Sequence, residues 1–167
     1  MKRYFLVLAV LFITAVTPTL AQSKIYAANG KLPSRAQLDL MLEDTMARLD
    51  RAMKTNRFDA LLAWSSTPTR DRYKTGAEFG KPFGPYVKAR ADLSVLVTAP
   101  RTYPNVTLQK AKMKGVKPTA NRLAGGELLN VQAKYDLKST IVANVQYLSE
   151  KGLWKLVNIS LRVTPRK

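Results

Sequence analysis

The sequence predicts an α+β fold in which amino-terminal helices pack on a curved antiparallel sheet of about four to five strands. Three features lead there. Apolar residues recur at helical spacing from residue 35 to 54, the spacing turns to alternation after Asp92, and Ser149-Glu150-Lys151-Gly152 parts two alternating runs as a hairpin turn does. Helices followed by consecutive hairpins define the class.

The chain opens on an export pattern. Lys2 and Arg3 supply positive charge, and an uncharged, mostly apolar run extends from Tyr4 to Thr17. Pro18 ends any helix, because its ring removes a donor and clashes with the preceding turn. Thr19-Leu20-Ala21 puts small residues where a signal peptidase inspects, so residues 1–21 are predicted to be a cleaved signal peptide. As a retained anchor the run is short: about 14 residues at about 1.5 Å each cover roughly 21 Å of a roughly 30 Å hydrocarbon core. The expected product starts at Gln22 and is exported, to a bacterial periplasm or outside the cell.

Residues 22–33 contain Asn29-Gly30 and Pro33 and read as a mobile lead-in. Ser34 and Gln37 have capping-box spacing. Leu38, Met41, Leu42, Thr45, Met46, Leu49 and Met53 then form one stripe on a helix from about Arg35 to Lys54. Asn56 is placed to cap a second helix carrying Phe58, Leu61, Leu62 and Trp64. Residues 67–86, punctuated by prolines and glycines, read as an aromatic loop, with a short helix from Tyr86 to Ala91. Leu93–Thr98 reads as a short strand, and Val106–Lys114 as another. A loop from Gly115 to Gly125 follows. Leu129, Val131, Ala133 and Tyr135 share a face of the next strand, and Ile141, Ala143, Val145 and Tyr147 of the one after it. The last strand, Leu153–Thr164, is expected to turn Val157, Ile159, Leu161 and Val163 inward. Residues 34–164 thus form one domain, with a basic tail at 165–167.

Charge narrows the partners. The chain has 28 Lys and Arg against 11 acids, and residues 101–167 hold 13 of the basic side chains and only 3 of the acidic ones. Such a field favours anionic partners. Composition also removes chemistries. With no histidine and no cysteine, a Ser/His/Asp triad, a zinc site and a disulfide framework are ruled out. Asp39, Glu43 and Asp44 read as a solvated helix face, and Asp59, Asp71 and Asp92 as caps or solvated groups. Gly76-Ala77-Glu78-Phe79-Gly80 does not follow a strand, so it reads as a pair of turns and not a phosphate loop. No catalytic residue, metal or cofactor is assigned.

The helix pair at Ser34–Lys54 and Asn56–Ser66, with the closing hairpin Tyr147–Asn158, resembles the NTF2-like superfamily, an α+β cone. The resemblance covers most of residues 34–164. It implies a long helix wrapped by a curved sheet, but no particular chemistry, since that superfamily includes enzymes, carriers and assembly subunits. Two binding hypotheses follow. The first is docking to an anionic envelope component or protein partner through a basic sheet face, built from Lys110, Lys112 and Lys114 with Lys117, Arg122, Lys134 and Lys138. The second is a pocket for a lipid or small hydrophobic ligand, lined by Trp64, Tyr73, Phe83, Tyr86 and Tyr135. Nucleic acid is disfavoured, because no aromatic side chain interleaves with the lysines of the 106–114 strand. A homodimer remains open.

Overall fold

The computed structural model describes residues 25–111 and 126–165. The expected signal peptide, the loop at 115–125 and the end of the basic tail lie outside them. The element order is α1 (Arg35–Thr55), α2 (Asp59–Trp64), α3 (Thr67–Arg72), α4 (Gly76–Gly80), a 3-10 turn (Lys81–Phe83), α5 (Gly84–Lys88), α6 (Ser94–Thr98), β1 (Arg101–Lys110), β2 (Glu127–Asp136), β3 (Ser139–Glu150) and β4 (Leu153–Pro165). The strands pair in chain order as an open antiparallel sheet.

The first helix forms where the apolar stripe predicts it. Ser34 Oγ accepts from the Gln37 amide at 3.2 Å. The reciprocal half of the capping box is absent. Gln37 Nε2 instead donates to the carbonyls of Ile25 (3.1 Å) and Ala27 (3.0 Å), tying the helix to the segment before it. Leu38, Met41, Leu42, Met46, Leu49 and Met53 are all buried. They share one core with Leu129, Val131, Ala133 and Tyr135 of β2 and Ala143, Val145 and Tyr147 of β3. Burial of each large side chain stabilises the fold by about 1.5–3 kcal/mol.

Several expectations are corrected. Residues 25–28 are fixed against the final hairpin: Trp154 N donates to Tyr26 O (2.7 Å) and Ala28 N to Gly152 O (2.8 Å). Asn56 does not open the second helix. It closes the first, with a left-handed φ of 51° that lets its amide reach back to Ala52 and Met53. The stretch 67–86 is a chain of short helices, and the turn pair at Gly76–Gly80 is α4. The helix expected at Tyr86–Ala91 sits slightly earlier, at Gly84–Lys88. Leu93–Thr98 holds α6 in place of a strand, because Asp50 Oδ1 accepts from Leu93 N and Asp92 Oδ1 from Ser94 N, both at 3.0 Å. These bonds satisfy amides that a helix start leaves free.

In the sheet, β1 begins at Arg101 and accommodates Pro104 because it is an edge strand with a register shift between Thr102 and Asn105. The β3–β4 turn has positive φ at both Lys151 (52°) and Gly152 (74°), as a two-residue turn of the primed kind requires. The β4 alternation fails at Val157. The register runs from Gln146↔Asn158 to Tyr147↔Leu156, so Val157 has no partner of its own. Trp154 and Leu156 are therefore buried before the bulge and Ile159 after it, while Val163 is 49% exposed. No helix among the described residues is long and apolar enough to cross a membrane.

Candidate functional site

The five aromatics expected to line one pocket have five separate settings. Trp64 meets Tyr26 edge to face, 5.0 Å between centroids, with the Arg48 guanidinium 4.9 Å from its own centroid. Tyr73 packs against Phe79, and Phe83 stacks on Phe58 at 5.6 Å. Tyr135 is fully buried beneath Arg101. Tyr86 lines a groove. Its hydroxyl donates to Leu161 O at 2.9 Å, which fixes the ring.

That groove, of about 470 Å³, runs between the end of α1 and α5. Met53 and Val87 give it an apolar floor with the Tyr86 ring and Ala91, while Lys54 and Arg90 supply cations. The two cations differ. Lys54 is held by Asp50 at 2.8 Å and Asp92 at 3.0 Å, and these partners raise its pKa. Arg90 is exposed, held at a left-handed φ of 49°, and among the described residues has no carboxylate within salt-bridge distance. Sequence reasoning found Tyr86 but missed Met53, Val87 and Arg90. The only sequence signal was that Met53 ends the α1 stripe beside a polar helix terminus.

The lysines split. Lys110 pairs in register with Glu127, on the face that carries Leu129 and Val131. Lys134 projects from the opposite face, about 24 Å away at about 3.4 Å per residue, and is bound to Asp136 at 3.2 Å. Lys138 is exposed in the β2–β3 turn. Lys112, Lys114, Lys117 and Arg122 lie outside the described residues. The described lysines do not share one face.

A polar cluster that the sequence reading assigned to solvent lies between α1 and β1. Arg101, whose side chain is 5% exposed, donates through Nη2 to Glu43 Oε1 and Val97 O, both at 3.0 Å, and its Nε is 3.5 Å from Asp39. Tyr103 donates to Asp39. Tyr135 is the cross-strand neighbour of Arg101, and among the described residues neither Arg101 Nη1 nor Tyr135 Oη, both buried, has a hydrogen-bond partner. Two donors of this kind can hold one oxygen, but the flanking carboxylates leave the cluster at net −1, which disfavours an anion there. Burial raises the pKa of Tyr135, against the opposing pull of Arg101. Burial and the Asp39 hydrogen bond raise that of Tyr103. Both phenols are neutral at physiological pH.

Among the described residues no three His, Cys, Asp or Glu side chains gather as a metal site. No family model matches the chain, nor does any curated protein or solved structure.

Proposed function

We propose that this chain is an exported, non-enzymatic binding module with the NTF2-like architecture that its helix–hairpin order resembles. In this reading it holds a small amphipathic ligand, apolar with an anionic head, in the groove between α1 and α5. The carrying observation is the groove itself: about 470 Å³, floored by Met53, Tyr86, Val87 and Ala91, with the exposed Arg90 at its rim. The volume falls within the range of small-molecule sites. Magnitudes assign the parts their roles. Each buried methylene of a tail contributes about 0.8 kcal/mol, whereas one exposed charge contact contributes about 0.2–1 kcal/mol. The carbonyl end of α1 opposes an anion by about 0.3–1 kcal/mol. The tail therefore sets affinity and the head sets orientation. Docking of a large anionic partner through the sheet has less support, because Lys110 and Lys134 point in opposite directions.

Calorimetric titration with decanoate and decanol tests the reading. Arg90→Gln should weaken decanoate relative to decanol by about two- to fivefold at low salt. Val87→Asp should abolish binding of both. Decanoate affinity indifferent to Val87→Asp would refute the groove.

A further inference from the structure

The sheet face turned away from α1 carries two adjacent cross-strand rows without a charge. One is Thr107–Asn130–Gln146–Asn158 and the other Asn105–Gln132–Asn144–Ser160. The six amides surround a depression of about 190 Å³. Some hold one another: Gln146 Nε2 donates to Asn130 Oδ1 at 2.8 Å, Gln132 Nε2 to Asn144 Oδ1 at 3.0 Å, and Asn130 Nδ2 to Thr107 Oγ1 at 3.4 Å. These bonds orient the array without exhausting it, since every amide carries two donor hydrogens and two acceptor lone pairs.

We propose that this face is a second binding site, for an uncharged polyhydroxyl ligand such as a neutral glycan segment. Each sugar hydroxyl both donates and accepts, and an amide presents a donor and an acceptor side by side, so vicinal hydroxyls match one amide. Neighbouring strands lie about 4.8 Å apart, comparable with the length of one sugar ring, so successive units of a linear glycan meet successive strands. The absence of charge in these rows, on a chain of formal net charge +17, selects a neutral ligand.

A second copy of the chain fits this face poorly. The two rows span roughly 19 Å by 7 Å, far below the roughly 800 Å² per partner of a stable interface. The flanking rows carry Lys134 and Arg162 on one side and Lys155 on the other, so a facing copy would bring cations together.

The test follows the side-chain amide signals of nitrogen-15-labelled protein during titration with maltotriose, cellotriose and triacetylchitotriose, with a heparin-derived tetrasaccharide as the polyanion arm. At least one neutral trisaccharide should shift the signals of Asn130, Gln132, Asn144 and Gln146, with little dependence on salt. The double change Asn144→Ala and Gln146→Ala should weaken that binding about tenfold or more. Asn144→Asp, which keeps the shape but removes a donor, should also weaken it. Decanoate binding should be unaffected by either, which keeps this site distinct from the α1–α5 groove. The proposal falls if no neutral trisaccharide moves these signals, if only the heparin fragment does, if both variants bind as the wild type, or if the signals move with protein concentration alone.

Discussion

Tyr135 and Tyr147 are both buried on the inner face of the sheet, and their hydroxyls differ in one respect. Thr45 Oγ1 spends its proton on Met41 O at 2.7 Å, so the Tyr147 hydroxyl, 2.7 Å from Thr45, is the donor of that pair. Among the described residues Tyr135 Oη has no hydrogen-bond partner. Removing a satisfied buried hydroxyl costs about 1 kcal/mol, whereas removing an unsatisfied one relieves a desolvation penalty. Tyr147→Phe is therefore expected to lower stability by about 1 kcal/mol and Tyr135→Phe to leave it unchanged or raise it. Urea unfolding of the two variants measures the difference, and equal losses would show that Tyr135 is partnered in solution. Arg101 carries a larger consequence. Arg101→Leu strands Asp39 and Glu43, each partly exposed, against an apolar side chain. Loss of one member of a buried ion pair costs about 3–5 kcal/mol, an upper bound here because both carboxylates reach water.

At the scale of elements, the short helices are held by close backbone approach. A Cβ on Gly76 would lie 2.4 Å from the Asp59 amide nitrogen and 2.7 Å from the Phe58 carbonyl carbon, neither of which can yield as a flexible side chain would. Gly76→Ala should cost about 1–3 kcal/mol, measured as a fall in urea midpoint at unchanged slope. Asp92 joins two elements, accepting from Ser94 N at the start of α6 and binding Lys54 at the end of α1. Its hydrogen bonds with Ser94, then that with Lys54, lower its pKa to about 2. A depressed carboxyl stabilises the fold above its unfolded pKa of about 3.9 and ceases to as pH falls through the folded value. The stability difference between wild type and Asp92→Asn should therefore shrink between about pH 4 and pH 2; a difference constant across that window would mean the Lys54–Asp92–Ser94 link does not form. These contacts also explain what the sequence concealed. The α1 stripe and the β2 and β3 alternation were legible because one face of each is buried along its length. Leu93–Thr98 looked like a strand by the alternation that begins after Asp92, and became a helix because distant Asp50 and adjacent Asp92 satisfy its first amides. The groove was half legible: Tyr86 belongs to a recognisable aromatic cluster, but Arg90 is aimed by a single positive φ that no pattern announces.

The whole molecule is cross-braced by phenols. Tyr26, in the segment before α1, donates to Asp44 at 2.9 Å and packs on Trp64. Tyr103 ties β1 to α1 through Asp39, and Tyr147 ties β3 to α1 through Thr45. Burial is the first cause that raises the pKa of Tyr26, Tyr103, Tyr135 and Tyr147 above the usual 10.0. The sign of the linkage follows. A group whose folded pKa is raised binds its proton more tightly in the native state, so its stabilisation is complete below about pH 10 and declines as pH rises past that value. Lysine deprotonation acts the other way, since it relieves self-repulsion on a chain of net charge +17, but those side chains are largely exposed and screened. The phenols therefore decide the alkaline limit. Raising the pH past about 10 should leave these four phenols protonated while the fold lasts, then ionise them together as it opens. Phenolate absorbance should rise in a step coincident with the loss of far-ultraviolet circular dichroism. In Tyr147→Phe the step should occur at lower pH and with smaller amplitude, because one brace and one hidden phenol are gone. Smooth phenolate titration near pH 10, complete before any loss of secondary structure, would mean that the phenols are not sealed in the core and that α1 is not braced against the sheet through them.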